Sequence, residues 1–188
     1  MSAANARLAW TSVPRWAAPA LPAAASYLAC WFGDEAGRRA QALLAGADPA
    51  VPIAAAGFAA RWDAQTETEL RRLIDGCRTG VRIILAGPES VVLQAIALVK
   101  ALGATADEIV SIATEAASDA SDASDVYVSG VAARRVFCAA CRRSFDAVAA
   151  IGGHVACPGC AAELIVDYRF SGPHAAYFGW PTGLDLHR

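Results

Sequence analysis

No Gly-x-Gly-x-x-Gly fingerprint, no P-loop and no Gly-x-Ser-x-Gly elbow occurs in this chain. Dinucleotide binding at a glycine turn, P-loop phosphoryl transfer and serine-hydrolase chemistry therefore have no motif to rest on. The three histidines, His154, His174 and His187, are scattered and form no acid–base constellation. Catalysis by this chain alone is not expected. Charge of one sign is also missing: 16 basic against 18 acidic residues, a net charge of −2, offers no general attraction to nucleic acid or to a membrane surface. Lysine is nearly absent, Lys100 being the one basic residue that is not Arg, which reads as codon composition before function. The longest uncharged run, Trp16–Gly33, reaches the minimum length of a membrane span, but it carries Pro19 and Pro22 and its apolar content is mainly alanine. No membrane helix is expected there. Arg7 and Arg15 precede an Ala-rich stretch as they would in an export signal, while the cysteine pattern points to the cytoplasm.

What the chain does have is six cysteines, four of them in two C-x2-C pairs, Cys138-Ala-Ala-Cys141 and Cys157-Pro-Gly-Cys160. Two such turns can present four thiolates to one tetrahedral metal ion. Gly152-Gly153 before the second pair and Pro158-Gly159 inside it are turn formers that let backbone amides point at the sulfurs. Paired disulfides would suit a small secreted domain better than a 188-residue chain. A sulfur-only site holds zinc or iron, and Cys-Pro-x-Cys also occurs in rubredoxin-like one-iron sites. The first half, Cys-Ala-Ala-Cys-Arg, departs from that pattern, and Arg134, Arg135, Arg142 and Arg143 surround it, so a closed structural zinc is the preferred reading and iron the alternative. His154 is a possible replacement ligand, read more simply as a solvated loop histidine. Cys30 and Cys77 read as buried free thiols.

Hydrophobic residues make up 56% of the chain, enough for one ordinary domain and a small appended module. Residues 1–25, with Trp10 and Trp16 among Ala and Pro, form an extended arm. Residues 26–115 alternate strands and helices: a buried strand Tyr27–Phe32, a helix Glu35–Leu44 capped by Asp34, a strand Val51–Ala56, and a helix over 64–78 with Leu70, Leu73, Ile74 and Cys77 on one face. The strand Val81–Ala86 follows, then the turn Gly87-Pro88-Glu89-Ser90, with Pro88 in the first turn of a helix running to Leu102, and a last strand Glu108–Ile112. This is an α/β domain with a parallel sheet. Residues 116–125, Ala-Ala-Ser-Asp-Ala-Ser-Asp-Ala-Ser-Asp, are an acidic flexible linker. Residues 126–188 form the metal module, with short strands at Arg135–Phe137 and Leu164–Tyr168 and five aromatics between Tyr168 and Trp180. Those aromatics suit either an anchor on a partner or a return onto the first domain.

The turn Gly87, Pro88, Glu89, Ser90 stands where open α/β sheets bind phosphorylated ligands, and these four are the candidate cofactor-binding residues. The strand-Gly-Pro-Glu-helix unit resembles the nicotinamide-binding half of ferredoxin-reductase-like flavoproteins, without their flavin barrel or glycine fingerprint, which implies a degenerate nucleotide-binding scaffold. The order of Ala-Gly-Pro-Glu, Arg-Arg-Val-Phe-Cys-x-x-Cys, Cys-Pro-Gly-Cys and Asp-Tyr-Arg-Phe-Ser-x-x-x-Ala-Ala-Tyr-Phe-Gly resembles the small accessory subunits of bacterial dimethylamine monooxygenase, relatives of the haem-dependent oxidative N-demethylases. The match is clearest over 134–180, and Gly172-Pro173-His174 stands where that family has an Arg-rich stretch after Phe-Ser. The resemblance implies a cytoplasmic heteromeric complex that removes a methyl group from a secondary or tertiary amine, with haem, flavin and iron-sulfur centres on partner subunits and Cys138, Cys141, Cys157 and Cys160 as metal ligands here. This chain would be a non-catalytic docking subunit in a zinc-ribbon or rubredoxin-like form. An iron electron-transfer subunit and a zinc-ribbon nucleic-acid-associated protein are the alternatives.

Overall fold

The computed structural model describes residue 16 and residues 20–114 and 131–182. The expected linker at 116–125 and most of the N-terminal arm lie outside them. The described residues fall into two compact units, one carrying 16–114 and the other 131–182.

The first unit runs β1 (Ser26–Phe32), α1 (Asp34–Leu44), β2 (Ile53–Phe58), α2 (Ala64–Asp75), β3 (Val81–Gly87), α3 (Glu89–Ala101), a single 3-10 turn and β4 (Ile109–Ala113). All four strands are parallel in the order β2-β1-β3-β4. β1 and β3 are central and covered on both faces, which is why they read as unbroken apolar runs rather than alternating ones. Leu28, Cys30, Phe32, Val81, Ile83 and Leu85 pack with Leu70 of α2 and Val91, Val92, Ala95 and Val99 of α3. Tyr27, Ala29, Ile84, Ala86, Val110 and Ile112 pack on the other face with Ala36 and Ala40 of α1. The short stretch before β1 lies on this unit: the Tyr27 hydroxyl donates to the Pro22 carbonyl at 2.7 Å, and Leu21 and Ala24 pack against the α1 side.

Several boundaries differ from the sequence expectation. Asp34 does not cap α1: Gly33 takes the N-cap position at φ 94°, a conformation that favours glycine, and Asp34 sits in the first turn, where its charge faces the helix dipole. β2 begins at Ile53, because Pro52 has no N–H to give the ladder and only its carbonyl pairs, accepting from Tyr27 at 2.9 Å. Pro88 is the N-cap of α3 and Glu89 its first residue. α2 ends at Asp75 with Gly76 behind it, three residues short of the expected 78. Its start is set by Asp63, whose carboxylate accepts from the Thr66 N–H at 2.9 Å.

The second unit is a five-stranded sheet of β5 (Ala132–Cys138), β6 (Ser144–Ala149), β7 (His154–Ala156), β8 (Glu163–Ser171) and β9 (Ala176–Pro181), in the order β6-β5-β9-β8-β7. β5 and β9 pair parallel, the others antiparallel. The edge strands β6 and β7 approach each other, so the sheet curls over its inner face. Val136, Leu164, Val166, Tyr177 and the first cysteine of each knuckle are buried there. Arg134 shares that face and is 1% exposed, its Nε donating to the Ala149 carbonyl at 3.1 Å and its guanidinium lying 5.3 Å from the Tyr177 ring centre.

The Thr66 N–H and the Arg61 guanidinium hold the Asp63 carboxyl down at about 2, against an ordinary value of 3.8. A depressed carboxyl stabilises the fold above its unfolded value, and that contribution disappears as pH falls through the folded one. Asp63→Ala is expected to lower the urea midpoint of the helical signal at pH 6, and the gap to the parent protein to close as pH is lowered from about 4 to about 2.

Candidate metal centre

The β5–β6 and β7–β8 hairpins end in knuckles built hydrogen bond for hydrogen bond alike. In the first, the Cys138 N–H donates to the Arg143 carbonyl at 2.9 Å and the Arg142 N–H to the Cys138 carbonyl at 2.8 Å. In the second, the Cys157 N–H donates to the Ala162 carbonyl at 2.9 Å and the Ala161 N–H to the Cys157 carbonyl at 2.8 Å. The residue after the second cysteine is left-handed in both, Arg142 at φ 59° and Ala161 at φ 58°. Such a turn leaves amides facing the first sulfur, as in the 3.4 Å approach of the Gly159 N–H to the Cys157 Sγ.

All four sulfurs lie within 4.8 Å of one another. Two of the separations cross between knuckles, 3.8 Å from Cys138 to Cys160 and 3.6 Å from Cys141 to Cys157. Metal–sulfur bonds of about 2.3 Å in a tetrahedron set sulfurs about 3.8 Å apart, so the four residues fit one tetrahedral ion. Each knuckle contributes one buried and one exposed cysteine, and the site sits at the rim of the inner core with Cys138 and Cys157 beneath. Burial raises the Cys157 thiol, but N–H donation from Gly159 and Cys160 outweighs it and brings the group down to about 7. For Cys160 the Ala162 N–H pulls down, yet desolvation and the contacts with the other three sulfurs leave it at about 11. His154 stands away from the sulfurs' partners and faces Glu163 at 3.3 Å. Cys30, pushed up to about 12 by burial, and Cys77, whose Sγ meets the Leu73 carbonyl at 3.4 Å, belong to the core of the first unit.

The outer face of the second sheet carries a run of rings. His174 stacks on Phe137 with centroids 4.1 Å apart, Phe137 meets Phe178 edge-on at 5.7 Å, Phe178 stacks on Trp180 at 5.8 Å, and Arg169 lies 5.9 Å over Trp180. The Trp180 indole donates to Asp167 at 2.9 Å. Strand alternation divides the aromatics of the C-terminal stretch: Tyr177 and Phe170 point inward beside the buried cysteines, Phe178 and Trp180 outward. The periods of β8 and β9 held this division in the sequence, but the strands β6, β7 and β9 were not expected there.

Gly87, Pro88, Glu89 and Ser90 lie where β3 passes into α3, beside the point where the strand order reverses between β1 and β3. Ligands of doubly wound sheets sit in that crevice. Here a Cβ on Gly87 would stand 2.9 Å from the Cβ and 3.1 Å from the ring of Phe32, which in turn stacks on Phe58 at 5.3 Å and tilts against Trp62 at 6.3 Å. The glycine makes room for a phenylalanine. Glu89, 1% exposed, puts an acidic group in the first turn of α3, where the helix dipole would otherwise attract a phosphate. Phe32 over Gly87 and the buried Glu89 are the surroundings of these four residues.

Among the described residues no helix is long and apolar enough to cross a membrane. Fold and site define a two-unit protein, a parallel α/β unit and a β module that could hold one metal ion on four thiolates. Residues 135–180, from β5 to β9 and including all four cysteines, match the family described as dimethylamine monooxygenase subunit DmmA-like, C-terminal domain. Comparison with curated proteins and with solved structures returned no match.

Two outcomes check the site. Thiols must lose their protons to bind metal, so apparent affinity for added Zn(II), measured by chelator competition, rises with pH and falls steeply below about 7. Gly87→Ala is expected to destabilise the first unit by about 1–3 kcal/mol through the collision with Phe32, read from chemical denaturation.

Proposed function

We propose that this chain is a non-catalytic docking subunit of a dimethylamine-monooxygenase-type complex, stabilised by zinc on Cys138, Cys141, Cys157 and Cys160. The observation that carries the reading is the convergence of four sulfurs from two equivalent knuckles inside the segment that matches the DmmA-like family. Four protein thiolates complete a tetrahedron and leave no position for a substrate, which suits a structural ion. The module is then a zinc ribbon whose small core depends on the ion. The parallel unit is read as a ferredoxin-reductase-like scaffold that has lost its nucleotide, with Phe32 at Gly87 and the buried Glu89 supporting that loss. Haem, flavin and iron-sulfur centres, and the oxidative N-demethylation itself, belong in this reading to partner subunits in the cytoplasm.

The outer rings supply the docking surface. Phe178, Trp180 and Phe137 are only half-buried, and aromatic anchors with an arginine stacked at the edge are the usual make-up of an interface centre.

A rubredoxin-like iron is the second reading, favoured by the N–H to sulfur contacts at Cys157, since such contacts help set the potential of iron–thiolate centres. The nucleic-acid reading loses two of its four arginines: Arg134 is buried, and Arg135 faces Asp146 at 3.6 Å.

Elemental analysis of the chain purified without added metal, read beside its visible spectrum, tests the assignment. One equivalent of zinc and no visible band is the expected result; one equivalent of iron with thiolate charge-transfer bands would make this chain a link in an electron path, and bound flavin would overturn both. Trp180→Ala and Phe178→Ala are each expected to weaken co-purification with the other subunits at least 10-fold while leaving the metal content unchanged, as loss of a buried anchor costs more than 1.4 kcal/mol.

A further inference from the structure

Arg143 closes the first knuckle and is exposed, with no carboxylate partner among the described residues. Its side chain crosses to the other knuckle. A Cβ built on Gly159 would stand 3.1 Å from the Arg143 Cδ, 3.4 Å from its Nε and 3.4 Å from the Cys141 Sγ. The guanidinium stem therefore rests on the glycine of Cys157-Pro-Gly-Cys160, and its nitrogen and the Cys141 sulfur flank the same point. Gly159 is not left-handed, so space rather than backbone conformation accounts for it. Four thiolates around a divalent ion carry a net charge of −2, and two of the four sulfurs, those of Cys141 and Cys160, are exposed. The residues on the two tips, 139–143 and 158–161, include no acid, and their charged side chains are Arg142 and Arg143.

We propose that Arg143 is a positioning residue of the metal centre: laid over Gly159, it acts as the counter-cation of the tetrathiolate and ties the two knuckles together. The inference rests on the four-cysteine metal reading above. It explains why an arginine, with a long and costly side chain to order, stands at this place, and why glycine occupies the third position of the second knuckle. It also separates two effects that one residue can have, charge and packing.

The full-length chain loaded with zinc tests this by competition with a chromophoric chelator at two salt concentrations. Arg143→Gln is expected to weaken zinc binding about 10-fold or more, the usual scale for losing an outer partner of a metal ligand, and Arg143→Lys to recover most of it. The difference between parent and Gln variant should shrink in about 1 M salt, where the screening length is about 3 Å. Gly159→Ala should weaken binding in the parent chain and have less effect in an Arg143→Ala background, because the side chain it displaces is no longer there. Arg38→Gln, on α1 of the first unit, should change nothing. An Arg143→Gln variant that binds zinc as tightly as the parent overturns the proposal, as does a loss that salt leaves unchanged and lysine does not rescue. If the parent chain itself binds no metal, the underlying metal reading fails instead, so the two failures are told apart in the first titration.

Discussion

Four sulfurs within 4.8 Å are a constraint that the second unit is built to meet. Thiols so close repel one another once ionised, and the neighbouring sulfurs help leave Cys160 at about 11, while N–H donation from Gly159 and Cys160 brings Cys157 to about 7. Much of the module follows from it. Each hairpin turns through a left-handed residue so that amides face sulfur rather than water, and residues with a Cβ, Arg142 and Ala161, accept that backbone conformation where glycine would adopt it freely. The first cysteine of each pair is buried in the sheet's inner core, so assembly of the site and assembly of that core are one event.

The same sheet has two faces with different tasks. Inward positions of β5, β8 and β9 hold Val136, Leu164, Val166 and Tyr177 against the buried cysteines. Outward positions hold Phe137, Ile165, Phe178 and Trp180, paired across strands as Phe137 with Phe178 and Ile165 with Trp180. A strand that covers the cysteine-lined inner core on one side and presents rings on the other is apolar on both, which is why β9 reads as an unbroken Ala-Tyr-Phe-Gly-Trp-Pro run. The four-cysteine cluster and the outward rings share the backbone of one strand: β9 runs parallel to β5 up to Cys138 itself.

In the first unit a parallel sheet places Gly87 beside its switch point, and Phe32 packs over that glycine. The parallel order, with a glycine turn and a helix after β3, is the arrangement that elsewhere admits a phosphate. Phe32, Phe58 and Trp62 close the space by packing on one another, and the absence of a side chain at Gly87 serves that packing. Fold alone does not determine function, and the side chains at the switch point decide.

From the sequence by itself came the parallel alternation of strands and helices in the first unit and the four cysteines that the fold gathers, because both are written in local spacing: apolar runs between capped helices, and C-x2-C pairs in turns. Strand β2 was displaced by two residues, since an exposed edge strand of alanines lacks the burial pattern that marks a strand's ends. Strands β6, β7 and β9 were not legible: β7 is only three residues long, and the pairing that seats β9 beside β5 joins residues far apart in the chain. The four arginines near the first knuckle looked alike in sequence. Only the tertiary structure separated them, burying Arg134 against Tyr177, facing Arg135 to Asp146 and laying Arg143 over Gly159, because the side on which a strand residue falls and what crosses from the neighbouring hairpin are set by packing. Likewise Gly87 is a glycine on the page in either reading, and whether a ligand or a phenylalanine fills the room it leaves is decided by β1, fifty-five residues earlier in the chain at Phe32.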